Sequence, residues 1–395
     1  MRRTRVAVIG AGPAGLTLAH LLHRQGIDAV VLERRSRAHV QARLRAGVLE
    51  QPTVALLREL GLARRLDAEA MTHTGVRFRF AGATHRLDLA AHSGGGAVTI
   101  YGQHELVKDL IAARLADGAP LLFDVDDVAV SGVADRPVVH YRHGGRDHAL
   151  ACDLVAGADG FHGVTRHLVP GTVHTRTQPF AWLGILAETP PSAPELVYAA
   201  HPDGFALHSM RGPGLTRQYV QVPPDTDPGS WPAERIWATL RRRLGHGPDF
   251  PLPRGPIVDV TLAAMRSMVT EPMRHGRLAL LGDAAHIVPA TGAKGLNLAV
   301  ADAVALSHAV GAWYATGREE HLDAYSARCL DRVWRTQRFS VWLTQLTHRL
   351  PGEDTVDRRL RETALAELVS CPHTAAAFAS RYVGQPFPVP WRWSA

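Results

Sequence analysis

The chain has 395 residues, 46% hydrophobic and 21% charged, without long Ser, Gln or acidic tracts or internal repeats; this excludes a disordered or fibrous protein and exceeds what one core usually serves. The formal charge of +7, with 22 His in addition, comes from Arg spread along the chain without an aromatic platform, which argues against nucleic acid and suits small anions. Cys152, Cys329 and Cys371 stand far apart without C-x-x-C spacing, so neither a disulfide framework nor a zinc site is expected, no metal is needed, and a reducing cytosol fits.

Arg2, Arg3 and Arg5 before an apolar run give the first residues the look of a signal peptide, but Gly10, Gly12, Pro13 and Gly15 break that run. No other stretch reads as apolar and long enough to span a bilayer, so no membrane association is expected. Val6 to Ile9 reads as a buried parallel strand running into Gly10-x-Gly12-x-x-Gly15. Leu16, Leu18, Leu21 and Leu22 predict a helix stopped by Gly26, and Ala29 to Leu32 a second strand ending at Glu33. In such a unit the first glycine permits the turn, the second lets backbone approach a pyrophosphate, and the third allows close packing of helix on strand. Glu33 stands where a carboxylate accepts from ribose hydroxyls. These features predict dinucleotide binding without choosing between FAD and NAD(P).

Asp153 to Gly160 predicts a strand ending in an Asp-Gly turn, with Arg166 beyond it; taken singly this is an ordinary turn. From Phe180 to Met268 the pattern changes to short alternating runs with Pro or Gly turns, as in an antiparallel sheet. Within it Ser209 and Arg211 share one strand face, as do Arg217 and Tyr219 on the next strand. An Arg fork beside a hydroxyl suits a carboxylate, although a surface Arg on a hairpin gives the same pattern. Arg277 to His286 predicts another strand with a Gly282-Asp283 end, and a helix begins near Gly295 and continues through Leu298 to Val310. Its positive end would favour an anionic group facing it.

Arg45-Ala-Gly-Val-Leu-Glu-Gln51, Val98-Thr-Ile-Tyr-Gly-Gln103, Gly157-Ala-Asp-Gly-Phe-His-Gly163, Gly282-Asp-Ala-Ala-His-Ile-Val-Pro289 and Tyr382-Val-Gly384 together resemble the flavoprotein aromatic hydroxylase family over essentially the whole chain. The resemblance implies a mixed α/β fold: a Rossmann-like FAD-binding domain in two parts (1–179 and 269–345), an inserted antiparallel substrate sheet (180–268), and C-terminal helices (346–395). It implies hydroxylation of 4-hydroxybenzoate to 3,4-dihydroxybenzoate with FAD, O2 and NADPH or NADH, through a flavin C4a-hydroperoxide. An amino- or dihydroxybenzoate is the alternative substrate. A flavin-binding sensor and an NAD(P) dehydrogenase are rival readings.

By the same resemblance, Ser209, Arg211 and Tyr219 bind the substrate carboxylate, and Tyr198 meets the phenol oxygen. Tyr382 and His73 continue a proton relay from it. FAD contacts are implied for Arg43, Arg45, Gln103, Asp159, Arg217, Asp283, Leu296 and Asn297, besides Gly10, Gly12, Gly15 and Glu33. NADPH contacts are implied for Arg34, His39, His162 and Arg266, and the basic run from Arg34 to His39 favours NADPH over NADH. Ala290 departs from the family's second proline; it keeps the backbone carbonyl expected at the substrate hydroxyl but relaxes its geometry. A homodimer is implied as well.

Overall fold

The computed structural model describes residues 2–43, 47–248 and 250–394. Five parallel strands form the centre of the first sheet, in the spatial order Leu278–Leu280, Arg146–Gly157, Arg2–Ile9, Ala29–Leu32 and Leu121–Leu122. Val6, Ala7 and Val8 are fully buried in one core shared with the helix Pro13–Arg24 and with the antiparallel strands Asp126–Ser131 and Val138–His143. The register pairs Ile9 with Gly157, and Gly157 with Leu280. The three glycine-bearing strand ends predicted far apart in sequence therefore meet side by side at one edge. That is the crevice outside the carboxyl ends of parallel strands where α/β proteins bind nucleotides.

The predicted helix near Gly295 is present at Gly295–Thr316. It is packed between the helices Pro13–Arg24 and Glu320–Thr347. Contrary to expectation, this stretch is by length and composition apolar enough to cross a membrane. Its apolarity has another cause: 94% of an 18-residue window of it is buried inside the protein, and a core helix surrounded by protein is hydrophobic all round.

The second sheet is almost wholly antiparallel, ordered His286–Ile287, Ile257–Glu271, Thr172–Ala187, Leu215–Val222, Ala206–Gly212, Val197–Ala199, Gly75–Phe80 and Ala83–Asp88. Its long strands pass beyond the expected 180–268 segment, and the hairpin at 75–88 joins from a part of the chain read as nucleotide-binding. One face is covered by the helix Ala233–Leu244, whose Ile236, Trp237, Leu240 and Leu244 pack on Ile185, Val220 and Val222. The other face meets the C-terminal helices. There the helix Pro372–Val383 carries Tyr382 into the interior, next to Phe78 and Phe378. The chain leaves that helix at Gly384 with φ +106°, and a Cβ there would lie 2.5 Å from the Glu50 carboxylate, so only glycine fits.

Candidate active site

At the nucleotide end, the glycines divide their work as the sequence suggested. Gly10 has φ +109°, and a Cβ on it would lie 2.3 Å from the Ala158 carbonyl oxygen; one on Gly15 would lie 2.1 Å from the Gly10 oxygen. Gly12 caps the Pro13–Arg24 helix, and a Cβ there would meet nothing within 4 Å. An open approach to bare backbone at a helix N-terminus fits a pyrophosphate. Glu33 braces this turn: its two oxygens accept from the amides of Ala11 and Arg35, each at 2.8 Å. Lone pairs remain on that carboxylate for ribose hydroxyls.

Other expected FAD contacts spend polar atoms within the protein. Asp159 accepts from Thr165 N (3.0 Å) and Thr165 Oγ1 (2.6 Å), which ties its own turn together. Asn297 donates to the Val48 carbonyl (2.9 Å) and accepts from Glu50 N and Thr53 Oγ1, both 2.9 Å. It thus anchors the segment just after Arg45, which itself lies outside the described residues. Arg43 follows the short helix Arg37–Ala42, Gln103 opens the helix Gln103–Ala116, and Leu296 stands beside Asn297 in the first turn of the core helix. Asp283 sits in the short turn Gly282–Ala284, at the end of the third strand.

Behind that turn is a buried pair that sequence reasoning missed. Asp302 accepts from Gly282 N (2.9 Å) and pairs with His286 Nε2 (2.6 Å). Burial alone would lower the pKa of His286, but Asp302 reverses this and raises it. Equally unforeseen is Lys294, buried at the mouth of the core helix. Its Nζ donates to Glu50 Oε1 (2.7 Å) and to the Tyr382 carbonyl (2.8 Å), while Arg332 stands 3.7 Å from the other Glu50 oxygen. Lys294 stands just before the helix start predicted near Gly295, but nothing local in sequence names Glu50 as its partner.

In the second sheet, Arg211, Arg217 and Tyr219 line a cavity of about 270 Å3 together with Tyr101, Gly102 and His104. Ser209 Oγ donates to the Arg217 carbonyl (2.7 Å) and accepts from Arg211 Nη1 (3.2 Å). Arg211 also donates to the Met210 carbonyl (2.9 Å), and among the described residues no carboxylate pairs with it. Desolvation lowers its pKa, with Tyr219 pulling the other way. Arg217 is fastened to Asp259 (3.0 Å) and Thr261, and lies over the Tyr219 ring at 5.6 Å. Gly184 makes the room, since a Cβ there would lie 2.7 Å from the Arg217 guanidinium.

Tyr198 and Tyr382 meet as expected, hydroxyl to hydroxyl at 3.0 Å. The carbonyl that Tyr198 reaches is that of Thr291 (2.9 Å), the neighbour of Ala290; Ala290 itself is exposed. Burial pushes Tyr198 up to about 12, and Tyr382 well above the ordinary tyrosine value. His73 is 1% exposed, and neither ring nitrogen has a protein hydrogen-bond partner among the described residues. Burial pushes it down to about 4, although Glu195 acts in the opposite direction. No direct bond joins it to Tyr382 among the described residues.

His162 and Arg266 converge on Phe161: the His162 ring packs edge-on at 4.8 Å and Arg266 lies 4.7 Å over it, with Arg166 at 5.2 Å. Arg34 and His39 stand apart from them, exposed beyond the Ala29–Leu32 strand and separated by the Arg2–Ile9 strand.

A family model described as FAD binding domain matches residues 3–340. The p-hydroxybenzoate hydroxylase of Acinetobacter baylyi (strain ATCC 33305 / BD413 / ADP1) is 42% identical over 390 residues, covering 98% of this chain and 96% of that protein. The chain belongs to the FAD-dependent aromatic hydroxylases. Another hydroxylase of that family, the 3-amino-4-hydroxybenzoate 2-monooxygenase of Streptomyces cremeus, is 28% identical over 92% of this chain and 93% of its own. The fold agrees with that of the crystal structure of p-nitrophenol 4-monooxygenase from Pseudomonas putida DLL-E4, with TM-score 0.81 at 20% identity, covering 98% of this chain and 100% of that one.

Proposed function

We propose that the chain hydroxylates 4-hydroxybenzoate to 3,4-dihydroxybenzoate in the cytosol, consuming NADPH, O2 and a proton and releasing NADP+ and water. The observation that carries this reading is the polarity of the site: a partly buried Arg211 without an acidic partner among the described residues, and a buried pair of tyrosine hydroxyls. A rigid para-hydroxy acid answers both. Arg211, Ser209 and Tyr219 hold its carboxylate by charge-assisted hydrogen bonds. Tyr198 receives the phenol proton while its own passes to Tyr382, because both hydroxyls are held neutral by burial and neither stores charge. A water then links Tyr382 to His73, whose ring nitrogens otherwise go unsatisfied. Loss of the phenol proton sends electron density to the ortho carbon and readies it for an electrophilic oxygen.

FAD, when bound, takes hydride from the nicotinamide and activates O2. The glycine turn, Glu33, Gln103, Asp283 and the start of the core helix would hold it, with the buried Lys294–Glu50 ion pair fixed beside that helix end. His162, Arg166 and Arg266 receive the nicotinamide donor, and the exposed Arg34, Arg35 and His39 favour a 2′-phosphate. A homodimer, and a division of each chain into nucleotide-binding and substrate-binding regions, complete the reading.

Titrating the flavin-loaded protein with 4-hydroxybenzoate, benzoate and phenol, read by the flavin spectrum, tests it. The reading expects tight binding of the first and loss at each end for the other two. Equal binding of benzoate would remove the phenol site from it. Tighter binding and turnover of 3-amino-4-hydroxybenzoate would shift it to a substituted acid, which the relaxed backbone at Ala290 would admit.

A further inference from the structure

Glu195 has no part in the scheme above, although it is a carboxylate only 6% exposed. A buried charge persists only when paired and hydrogen-bonded. Arg86 supplies the pairing at both oxygens, with Nε 2.9 Å from Oε2 and Nη2 2.8 Å from Oε1, and Arg77 stands 3.8 Å away. The same Arg86 Nη2 donates to Thr74 Oγ1 at 3.1 Å, in the residue that follows His73. Its remaining Nη1 is taken by Asp88 at 2.8 Å. Gly75 leaves the space for this guanidinium, since a Cβ there would lie 2.6 Å from Arg86 Cζ. Arg86 thus clamps Glu195 against the end of the strand that carries His73.

The strand paired with Met71–His73 is Val98–Ile100 and brings no charge, and among the described residues Glu195 is the charged side chain that raises the His73 pKa against its burial. On the outer side, Arg77 and Arg86 line a cavity of about 560 Å3, together with Arg79, Thr84 and His246. Thr84, Arg86 and His246 are exposed at its rim. A buried imidazole is a poor transient proton carrier, because its cation has lost water and gained nothing. A carboxylate beside it restores part of that loss, and a cavity behind the carboxylate offers the proton a way out.

We propose that Glu195, clamped by Arg86, is a positioning residue of the proton relay: it stabilises the imidazolium that His73 becomes in transit and directs the proton to the solvent cavity lined by Arg77 and Arg86. The inference rests on the relay described under Proposed function. The O–H bond of the phenol breaks, an O–H bond of solvent forms, and no electrons change hands. The two partners act on His73 with opposite sign. Glu195→Gln removes the anion and leaves Arg86 and Arg77 to oppose the imidazolium, whereas Arg86→Gln leaves the anion opposed by Arg77 alone.

The test is histidine-labelled NMR of the flavin-loaded protein, with the His73 resonance assigned by its loss in His73→Gln. The ring in the parent protein is expected to stay neutral down to pH about 4. Arg86→Gln is expected to move its midpoint upward, Glu195→Gln downward, and the double variant to return it toward the parent. In parallel, ionisation of bound 4-hydroxybenzoate after a pH jump is expected to slow on the order of tenfold in Glu195→Gln. A His73 midpoint that stays put, or moves the same way in both single variants, overturns the inference. Failure to bind or hydroxylate 4-hydroxybenzoate would remove only the optical readout and overturn the substrate reading, while the NMR titration would still decide the coupling. Should Glu195→Gln fail to retain flavin, Arg86→Gln, whose guanidinium lies at the cavity rim, decides alone by its upward shift.

Discussion

Arg211 is held by Ser209 and the Met210 carbonyl but, among the described residues, by no acid, so its partly desolvated charge costs stability until an anion arrives. Arg211→Met is therefore expected to raise the unfolding temperature of the ligand-free protein. It should also weaken 4-hydroxybenzoate binding on the order of 10- to 100-fold, the worth of a charge-assisted hydrogen bond or two. Calorimetry and a flavin-monitored titration of one variant read both effects. Tyr198→Phe strands the Thr291 carbonyl and the Tyr382 hydroxyl, at a cost of about 1 to 3 kcal/mol. Its expected signature is a substrate that still binds but whose phenol ionises slowly and only at higher pH, followed by absorbance. At this scale the sequence revealed residue types better than partners. Ser209 and Arg211 showed as an Arg fork beside a hydroxyl on one strand face, a pattern a hairpin Arg matches equally, and Tyr198 was named only by the family resemblance. Lys294 with Glu50, and Asp302 with His286, were not legible, because each pair is made by tertiary packing. Asn297 and Asp159 stood at the expected positions, but protein partners already occupy their polar atoms.

Among the elements, the glycine turn separates folding from binding. Gly10→Ala drives a Cβ into the Ala158 carbonyl at a positive φ, and Gly15→Ala drives one into the Gly10 carbonyl; both are expected to give unstable, colourless protein. Gly12→Ala meets open space, so the protein should fold with near-parental stability yet lose flavin. A Gly12→Ala protein that retains full yellow colour would refute the placement of the pyrophosphate. The strand-turn-helix unit was readable because its periods and glycines are contiguous. Membership of the 75–88 hairpin in the second sheet was not, because strand partners are chosen by long-range pairing that leaves no mark on either strand alone. The core helix Gly295–Thr316 was legible as a helix, while the neighbours that bury it were not.

Over the whole molecule, buried histidines shape the response to acid, among them His73, His208 and His348. Burial holds His73 and His208 down at about 4 and His348 at about 3, the last accepting a hydrogen bond from Trp182 Nε1 at 2.7 Å. Between those values and the ordinary histidine value the unfolded chain binds more protons than the folded one. Stability is thus fully present above pH about 6.5 and is lost as pH falls toward about 4. Denaturant unfolding across that range should fall by a few kcal/mol, and His348→Gln should lessen the slope by about one proton. The positive charge that suggested small anions from the outset includes Arg211, Arg217 and the arginines proposed to receive the nicotinamide donor, so raised salt should weaken binding of both ligands. The most direct test of the function is NADPH oxidation by the flavin-loaded protein with and without 4-hydroxybenzoate, with the product identified. The account predicts strong stimulation and 3,4-dihydroxybenzoate in step with the NADPH consumed. No stimulation, or hydrogen peroxide alone with every phenolic acid tried, would contradict it.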